Sequence, residues 1–248
     1  MRYDLFVAKR LNISRNKALE LIENEEILLN FKKFKPSFDV KNLLNQELSQ
    51  EEILFSKELN LELLNKTYVS RAAFKLKSFL EDKDINISNK ICLDVGSSTG
   101  GFVQILLEKQ ALKIVALDVG DNQLHPSLRN NAKIKIVENT DLRVFKSEEK
   151  FEIITCDVSF ISLHHLIFYI DQLALKDIIL LFKPQFEVGK NAKRNKKGVV
   201  KDEKEIQKAR KEFEKACIRL GWILKICEES KIKGKEGNVE YFYHYSKK

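Results

Sequence analysis

The run Asp94-Val95-Gly96-Ser97-Ser98-Thr99-Gly100-Gly101-Phe102 constrains this chain more than any other segment. It overlaps the end of the short apolar stretch Ile91-Cys92-Leu93-Asp94-Val95, which reads as a buried strand, and it opens a helix over 101–108. A glycine-rich turn between a strand and a helix belongs at the carboxyl edge of a parallel sheet, where open α/β folds bind their ligands. Gly96 lets the backbone turn and approach a ligand closely. No Gly-Lys-Ser/Thr closes the turn, so it is not a P-loop. Ser97 and Ser98 separate Gly96 from Gly100 and Gly101, which breaks the G-x-G-x-x-G spacing and disfavours a NAD-dependent enzyme. The next strand ends in Asp118, 24 residues after Asp94, where a carboxylate suits the two hydroxyls of a ribose. A ligand with a nucleoside, an ammonium group and no pyrophosphate fits these features. S-adenosylmethionine has all three. Asp94 is expected to hold its methionine end, with Gly96 to Phe102, Asp118 and Val119 around it.

From Tyr68 onward helices and strands alternate. Strands are expected at 91–95, 113–118, 134–137, 151–157, 177–183, 223–227 and 239–245, and helices at 70–80, 101–108, 163–175 and 203–219. That order predicts a Rossmann-like α/β domain with helices on both faces of its sheet. Residues 1–60 differ, having no glycine and many Lys, Asn and Leu. Helices are expected over Asp4–Arg10 and after Ser14, a plausible N-cap, with Ala18, Leu21 and Ile22 on one apolar face. Ile27-Leu28-Leu29 reads as a strand. Ser49 to Glu52 resembles a capping box, yet Ile53-Leu54-Phe55 reads equally as a strand. The boundaries are therefore a small domain over 1–60, a linker over 61–67 and the α/β domain over 68–248.

Lys and Arg outnumber Asp and Glu by 44 to 36, a formal charge of +8, which suits a polyanionic partner, nucleic acid first. The four cysteines, Cys92, Cys156, Cys217 and Cys227, lack metal-ligand spacing, and the four histidines complete no site, so reduced thiols and no metal are expected. The charged N-terminus is unlike a signal peptide, and the longest apolar run, Phe160 to Ile170, is broken by Ser162, His164 and His165. A cytoplasmic protein without membrane contact is expected.

Four ionisable residues fall where such a fold would gather them. Lys75 lies on the helix before the first strand, at the edge of the stripe Ala72, Leu76 and Phe79. Asp157 and Lys183 end two strands expected to be neighbours, and Glu240 starts the last one. A ribose 2′-hydroxyl is a weak nucleophile and needs a positioned base. A lysine serves only when neutral, against an ordinary pKa of ~10.4, and burial or a second ammonium favours the neutral form. Lys183 is the expected base, Asp157 its orienter, and Lys75 with Glu240 a supporting pair. Methyl transfer from a sulfonium needs alignment more than a Lewis acid, so no metal is required.

Two resemblances add to this reading. Residues 1–60 resemble the S4 RNA-binding module in Met1-Arg2-Tyr3-Asp4-Leu5-Phe6, Ser14-Arg15-Asn16-Lys17-Ala18 and Leu29-Asn30-Phe31-Lys32, although the module usually has glycine at the turn where this chain has Phe31. The resemblance implies RNA contacts by Arg2, Arg10, Arg15, Lys17, Lys32 and Lys33. Over essentially the whole chain the sequence resembles the TlyA family of ribosomal RNA 2′-O-methyltransferases, some of which carry a hemolysin label. The resemblance lies in Tyr68-Val69-Ser70-Arg71, Lys75-Leu76, the 94–102 loop, Ala116 to Gly120, Asp157-Val158-Ser159-Phe160-Ile161-Ser162-Leu163, Lys183-Pro184-Gln185-Phe186-Glu187-Val188-Gly189, Lys197 to Val200 and Gly237-Asn238-Val239-Glu240. The wider FtsJ-like group shares the Lys–Asp–Lys–Glu set.

The family resemblance implies a class I S-adenosylmethionine-dependent fold with a seven-stranded sheet whose last strand is antiparallel. It also implies transfer to the 2′-hydroxyl of a cytidine in rRNA. Shorter members are associated with a 23S site and longer ones add a 16S site. This chain ends eight residues after Glu240, which points to 23S, with 16S as a second candidate. Ala72-Ala73 replaces the family's usual Gly-Gly. Asp141 stands where many members have Asn, and would keep an acceptor for the adenine amino group. Arg71, Lys193 and Arg194 are expected RNA contacts, the last two in a mobile basic loop over 191–201. Partners are ribosomal RNA or ribosomal subunits, and the protein is expected to be a monomer. A non-catalytic RNA-binding assembly factor is the alternative. Membrane lysis has no amphipathic or spanning segment to support it.

Overall fold

Strand residues that alternate between two apolar faces need cover on both sides, and this requirement organises the larger part of the molecule. The computed structural model describes all residues except 25, 31, 45–47, 64–67, 190–191, 235 and 248. It divides into two compact units, Met1–Thr67 and Tyr68–Lys248.

The first unit contains α1 (Tyr3–Leu11), α2 (Arg15–Glu23), β1 (Ile27–Leu29), a 3₁₀ turn over Val40–Leu43, α3 (Gln50–Phe55) and β2 (Leu61–Leu63). Tyr3, Phe6, Val7, Ala18, Leu21, Ile27, Leu29, Val40 and Ile53 close a small core. The Ser14 hydroxyl accepts from Lys17 N and so caps α2. Ser49 and Glu52 complete a reciprocal capping box, which settles the 49–55 segment as helix. Asn30 takes the left-handed conformation at the turn after β1, with φ of 47°, a region Asn tolerates. The expectation about Phe31 lies outside the described residues. The 61–67 linker needs correction: Leu61–Leu63 pair antiparallel with Ile27–Leu29, because β1 would otherwise present unpaired backbone groups.

The second unit runs α4 (Arg71–Leu80), β3 (Ile91–Val95), α5 (Gly101–Glu108), β4 (Lys113–Leu117), α6 (Pro126–Arg129), β5 (Ile134–Val137), β6 (Phe151–Cys156), α7 (Ile167–Leu173), β7 (Ala174–Phe182), α8 (Pro184–Glu187), α9 (Glu203–Arg219), β8 (Ile223–Glu229) and β9 (Tyr241–Ser246). The seven strands of this sheet are ordered β5-β4-β3-β6-β7-β9-β8, and β9 is antiparallel to both neighbours. Along β7, Ile178, Leu180 and Phe182 face the α7 and α9 side, while Ile179 and Leu181 face the α4 and α5 side. The chain turns outward from β3 to β4 and β5, then returns to place β6 on the other side of β3. That reversal opens a crevice beyond the carboxyl ends of β3 and β6.

Several expected boundaries shift. The 163–175 helix is a 3₁₀ turn, Leu163–His165, followed by α7, and Leu175 already belongs to β7. Ser70 occupies the N-cap position of α4, but its hydroxyl makes no capping bond. Glu240 precedes β9 by one residue. Residues 192–201 form a hydrogen-bonded hairpin: Asn195 N donates to Val199 O at 2.9 Å and Lys201 N to Lys193 O at 2.8 Å. The loop expected to be mobile is thus internally tied.

Candidate active site

Asp94 sits one residue before the end of β3, where the strand carries it into the sheet; it is 1% exposed. One carboxylate oxygen accepts from the Thr155 hydroxyl at 2.6 Å, and the other, Oδ2, is buried without a hydrogen-bond partner among the described residues. Burial, with Asp157 and Asp118 nearby, pushes its pKa up to about 7 despite the Thr155 bond. An orphaned buried oxygen of this kind asks for a cationic or hydrogen-bonding ligand.

Two cavities meet beside it. One, about 370 Å³, is lined by Gly96, Leu117, Asp118, Val119, Asp141 and Leu142 among others. The other, about 190 Å³, is lined by Asp94, Ser97, Thr99, Gly101, Phe102 and Lys183 among others. Gly96, Ser98, Asp157 and Ser159 border both. A Cβ on Gly96 would stand 3.0 Å from the Asp157 carbonyl oxygen and Val158 Cγ1, in a backbone with φ of 78°, so the loop comes this close only as glycine. Gly100, also left-handed, caps α5. At Gly101 a Cβ would collide with the Ser70 hydroxyl and lie 2.8 Å from Ala73 N. The close approach of α4 and α5 therefore uses a glycine on α5, and Ala72-Ala73 are accommodated on α4.

Asp118 accepts Ser98 N and Gly120 N, each at 2.7 Å, so its carboxylate fixes the glycine loop as well as lining the cavity. Arg143 forks the Asp141 carboxylate, with Nη2 at 2.6 Å and Nε at 3.0 Å, and that hydrogen bonding holds the carboxyl below the usual range. The carboxylate expected to meet an adenine amino group lines the first cavity and is also held by a guanidinium two residues along the chain, which leaves it further acceptor sites.

The four ionisable residues come together as two buried ion pairs. Lys183 Nζ lies 2.6 Å from Asp157 Oδ1 and donates to the Ser159 hydroxyl at 3.0 Å. Lys75 Nζ donates to Glu240 Oε2 at 2.6 Å. Gln185 Nε2 donates to the other Glu240 oxygen at 3.1 Å. All four border a third cavity or its neighbour: a cleft of about 600 Å³ is lined by Lys75, Ser159, Lys183, Gln185 and Glu240, and Asp157 faces the cofactor side. Phe160 stands at this mouth, 91% exposed, with φ of 66° and its ring 5.2 Å from that of Phe186. Sequence reasoning quoted Ser159 and Gln185 within motifs but gave them no role. Polar residues adjacent to candidate lysines are the signal that could have found them.

The expected RNA-contact residues divide. Arg2 and Arg15 both hold the fully buried carboxylate of Asp4, Arg15 at 2.8 and 2.9 Å and Arg2 at 3.1 and 3.2 Å, and both keep half-exposed side chains. Arg10 braces the first unit: it donates to the carbonyls of Leu54 and Ser56 at the end of α3, which lack intrahelical donors, and packs over Phe6. Lys17 is paired with Glu20 at 3.1 Å. Lys32 and Lys33 are exposed beyond β1. Arg71 is exposed and donates to Lys233 O at 3.4 Å. Lys193 and Arg194 are exposed on the hairpin, with Arg194 reaching Gln185 O at 3.2 Å.

A nucleoside-sized crevice at the switch point of a seven-stranded sheet with an antiparallel β9, carrying an unsatisfied buried carboxylate, defines an S-adenosylmethionine-dependent methyltransferase. The residues present fit that cofactor: Asp94 would hold its ammonium group and Asp118 its ribose. Comparison with known proteins gives the family. A family model described as FtsJ-like methyltransferase matches residues 68–247. The chain is 71% identical over 252 residues to the 23S rRNA (cytidine-2'-O)-methyltransferase TlyA of Campylobacter jejuni, covering 100% of both chains. It is 38% identical over 182 residues to the 16S/23S rRNA (cytidine-2'-O)-methyltransferase TlyA of Mycobacterium tuberculosis, covering 71% of this chain and 68% of that one. A solved hemolysin-labelled structure from Lactococcus lactis is 35% identical, with a TM-score of 0.69 over 73% of this chain and 89% of that one. The chain belongs to the FtsJ-like methyltransferases, in their TlyA branch. No helix among the described residues is long and apolar enough to cross a membrane.

Proposed function

We propose that this protein methylates the ribose 2′-hydroxyl of a cytidine in 23S ribosomal RNA, with S-adenosylmethionine as methyl donor and Lys183 as general base. When bound, the cofactor supplies an electrophilic methyl group on a sulfonium. The observation that best supports the reading is the Lys183 environment. A neutral lysine amine has two N–H bonds and one lone pair. Lys183 Nζ donates to the Ser159 hydroxyl at 3.0 Å and lies 2.6 Å from Asp157 Oδ1, so the amine is held from two sides at the wall of the cleft. A 2′-hydroxyl there gives its proton to Nζ as the oxygen takes the methyl, and the ammonium so formed is compensated by Asp157. Lys75, Glu240 and Gln185 form a fixed wall that holds the ribose against this amine.

Phe160 offers an exposed ring at the mouth, and a nucleobase lifted out of its stack would lie on it. A non-glycine residue is kept at positive φ only where the surroundings over-determine it, and presenting that ring to solvent is a use for the strain. The full-length likeness to a 23S enzyme supports 23S over 16S as the target. A ribosomal RNA substrate supports a cytoplasmic location, and a site whose ion pairs and glycine loop all come from one chain supports action as a monomer. The test is mass mapping of rRNA from cells lacking the protein, after incubation with wild type or Lys183→Ala and labelled cofactor. One 2′-O-methylcytidine should form with wild type alone. Methylation by the variant would remove Lys183 from its role.

A further inference from the structure

All four lysines of α9, Lys204, Lys208, Lys211 and Lys215, project from one side of the helix. At about 100° per residue they fall within a sector of about 60°, opposite the buried stripe of Ile206, Ala209, Phe213 and Cys217. The four glutamates of the helix, Glu203, Glu205, Glu212 and Glu214, all fall outside that sector. The 4-3-4 spacing sets like charges at i,i+3 and i,i+4, which weakens a helix, whereas alternating signs would support it. All four lysines are exposed, and none forms an ion pair with another described residue. In sequence the helix follows directly on the 192–201 hairpin, where Lys193, Lys196, Lys197 and Lys201 are exposed. Arg194 and Lys197 line the same cleft as Lys75, Lys183 and Glu240. Exposed basic residues thus stand at the mouth of the active site and along about 16 Å of the helix that follows the hairpin in the chain, at 1.5 Å per residue.

We propose that the lysine face of α9 is a second RNA-backbone contact, holding phosphates of the rRNA that flank the methylated nucleotide. The proposal rests on the methyltransferase reading and adds a surface remote from the chemistry. A membrane helix would turn a broad apolar stripe outward, but Ile206, Ala209, Phe213 and Cys217 of α9 are in the core, and Ile218 near its C-terminal end is the one large apolar side chain of this helix that is exposed, so the outer face is dominated by charge. Lysine contacts to phosphate position a substrate without reading its sequence, as a flanking contact requires.

The test is rRNA binding by the full-length protein and by the variant K204Q/K208Q/K211Q/K215Q, measured across a salt series. Each phosphate neutralised contributes roughly 0.7–0.9 to the slope of log K against log salt, so the variant's slope should be shallower by about 3. The accompanying loss of activity should fall on KM for rRNA. The matched Lys→Arg variant should keep the wild-type slope. An oligonucleotide covering only the target loop should bind both proteins with equal slopes. An unchanged slope on rRNA overturns the proposal. So does an equal loss in the Lys→Arg variant, or loss of binding only to anionic lipid vesicles or to acidic proteins. Failure of the wild type to methylate rRNA would instead strike the function itself.

Discussion

Both units bury carboxylates against cations, Asp4 between two arginines and Asp157 and Glu240 each with one lysine, but they bury the cations to different depths. In the first unit Asp4 is fully buried while Arg2 and Arg15 keep half their side-chain surface in water. In the second, Lys75 and Glu240 are 10% and 3% exposed, and Lys183 and Asp157 are 10% and 12% exposed. On the proposed reading the depth matches the task. A guanidinium never gives up its proton, so it can act only as a donor, and Arg2 and Arg15 keep N–H groups in water that could meet a phosphate. A lysine amine held in a fixed place at the wall of a cleft is positioned to take a proton from a substrate hydroxyl. Burial of the anchor orients the cation in both places; burial of the cation itself separates grip from chemistry.

The largest expected effect tests the buried side of this comparison. Lys183→Ala should lower kcat by about 10²–10⁴-fold, the usual weight of a general base, with unchanged circular dichroism and cofactor affinity. Arg15→Ala, read in the same assay, should leave kcat within a small factor and raise KM for rRNA. Equal kcat losses in both would erase the distinction between grip and chemistry. Next comes Glu240→Ala. It strands the Lys75 ammonium 165 residues away in sequence but buried beside it, and breaking a buried pair costs about 3–5 kcal/mol. Urea unfolding should report that loss. The paired replacement of Lys75 and Glu240 by Met and Leu should recover much of it without restoring activity.

The same contrast explains what the sequence makes legible. The Asp94–Phe102 turn, the seven strands and the four ionisable residues depend on short-range patterns, such as glycine spacing and period-2 apolarity, together with carboxylates at strand ends. Those patterns hold locally. Arg10 reads as a phosphate contact because nothing near it in sequence says otherwise; its carbonyl partners are 44 and 46 residues away. The guanidinium on Asp141 escapes the sequence for the opposite reason. Arg143 is a near neighbour, but only the loop's folded path brings the fork onto the carboxylate. Leu61–Leu63 resembles a connector because three residues carry too little periodicity, and the pairing with β1 that defines them is tertiary. Ser159 and Gln185 gain meaning only once Lys183 and Glu240 are seen to lean on them.

A smaller effect comes from Asp94, a buried carboxylate with no cation among the described residues. Burial raises its folded pKa to about 7 against 3.8 for the free group, so the native state binds more protons than the unfolded state between those values. The stability of the protein without cofactor should therefore fall as pH rises from about 4 to about 7. A cofactor ammonium would favour the ionised form. Affinity for S-adenosylmethionine should then rise with pH up to about 7 and level off above it, with proton release on binding below that point. Calorimetry in buffers of different ionisation enthalpy measures the release. Asp94→Asn should flatten both profiles, and a profile that stays steep in that variant would assign the titration elsewhere.

The smallest expected effect lies at the exposed side of the comparison. Burial alone would raise the Asp4 carboxyl, but hydrogen bonds and charge from Arg2 and Arg15 hold it below its ordinary range. Its contribution to stability is thus present at neutral pH and disappears as pH falls through the lowered folded value. Asp4→Asn removes the charge but keeps the shape, leaving the two guanidiniums without their common anchor. If that anchor serves to aim them, rRNA affinity should drop severalfold while the salt slope stays near that of wild type, because both positive charges remain. Arg15→Gln, by contrast, should make the slope shallower by roughly 0.7–0.9, one phosphate's share. A slope change in Asp4→Asn as large as that in Arg15→Gln would mean that the aspartate does more than orient, and that the two units differ less in how they use a buried carboxylate than their exposures suggest.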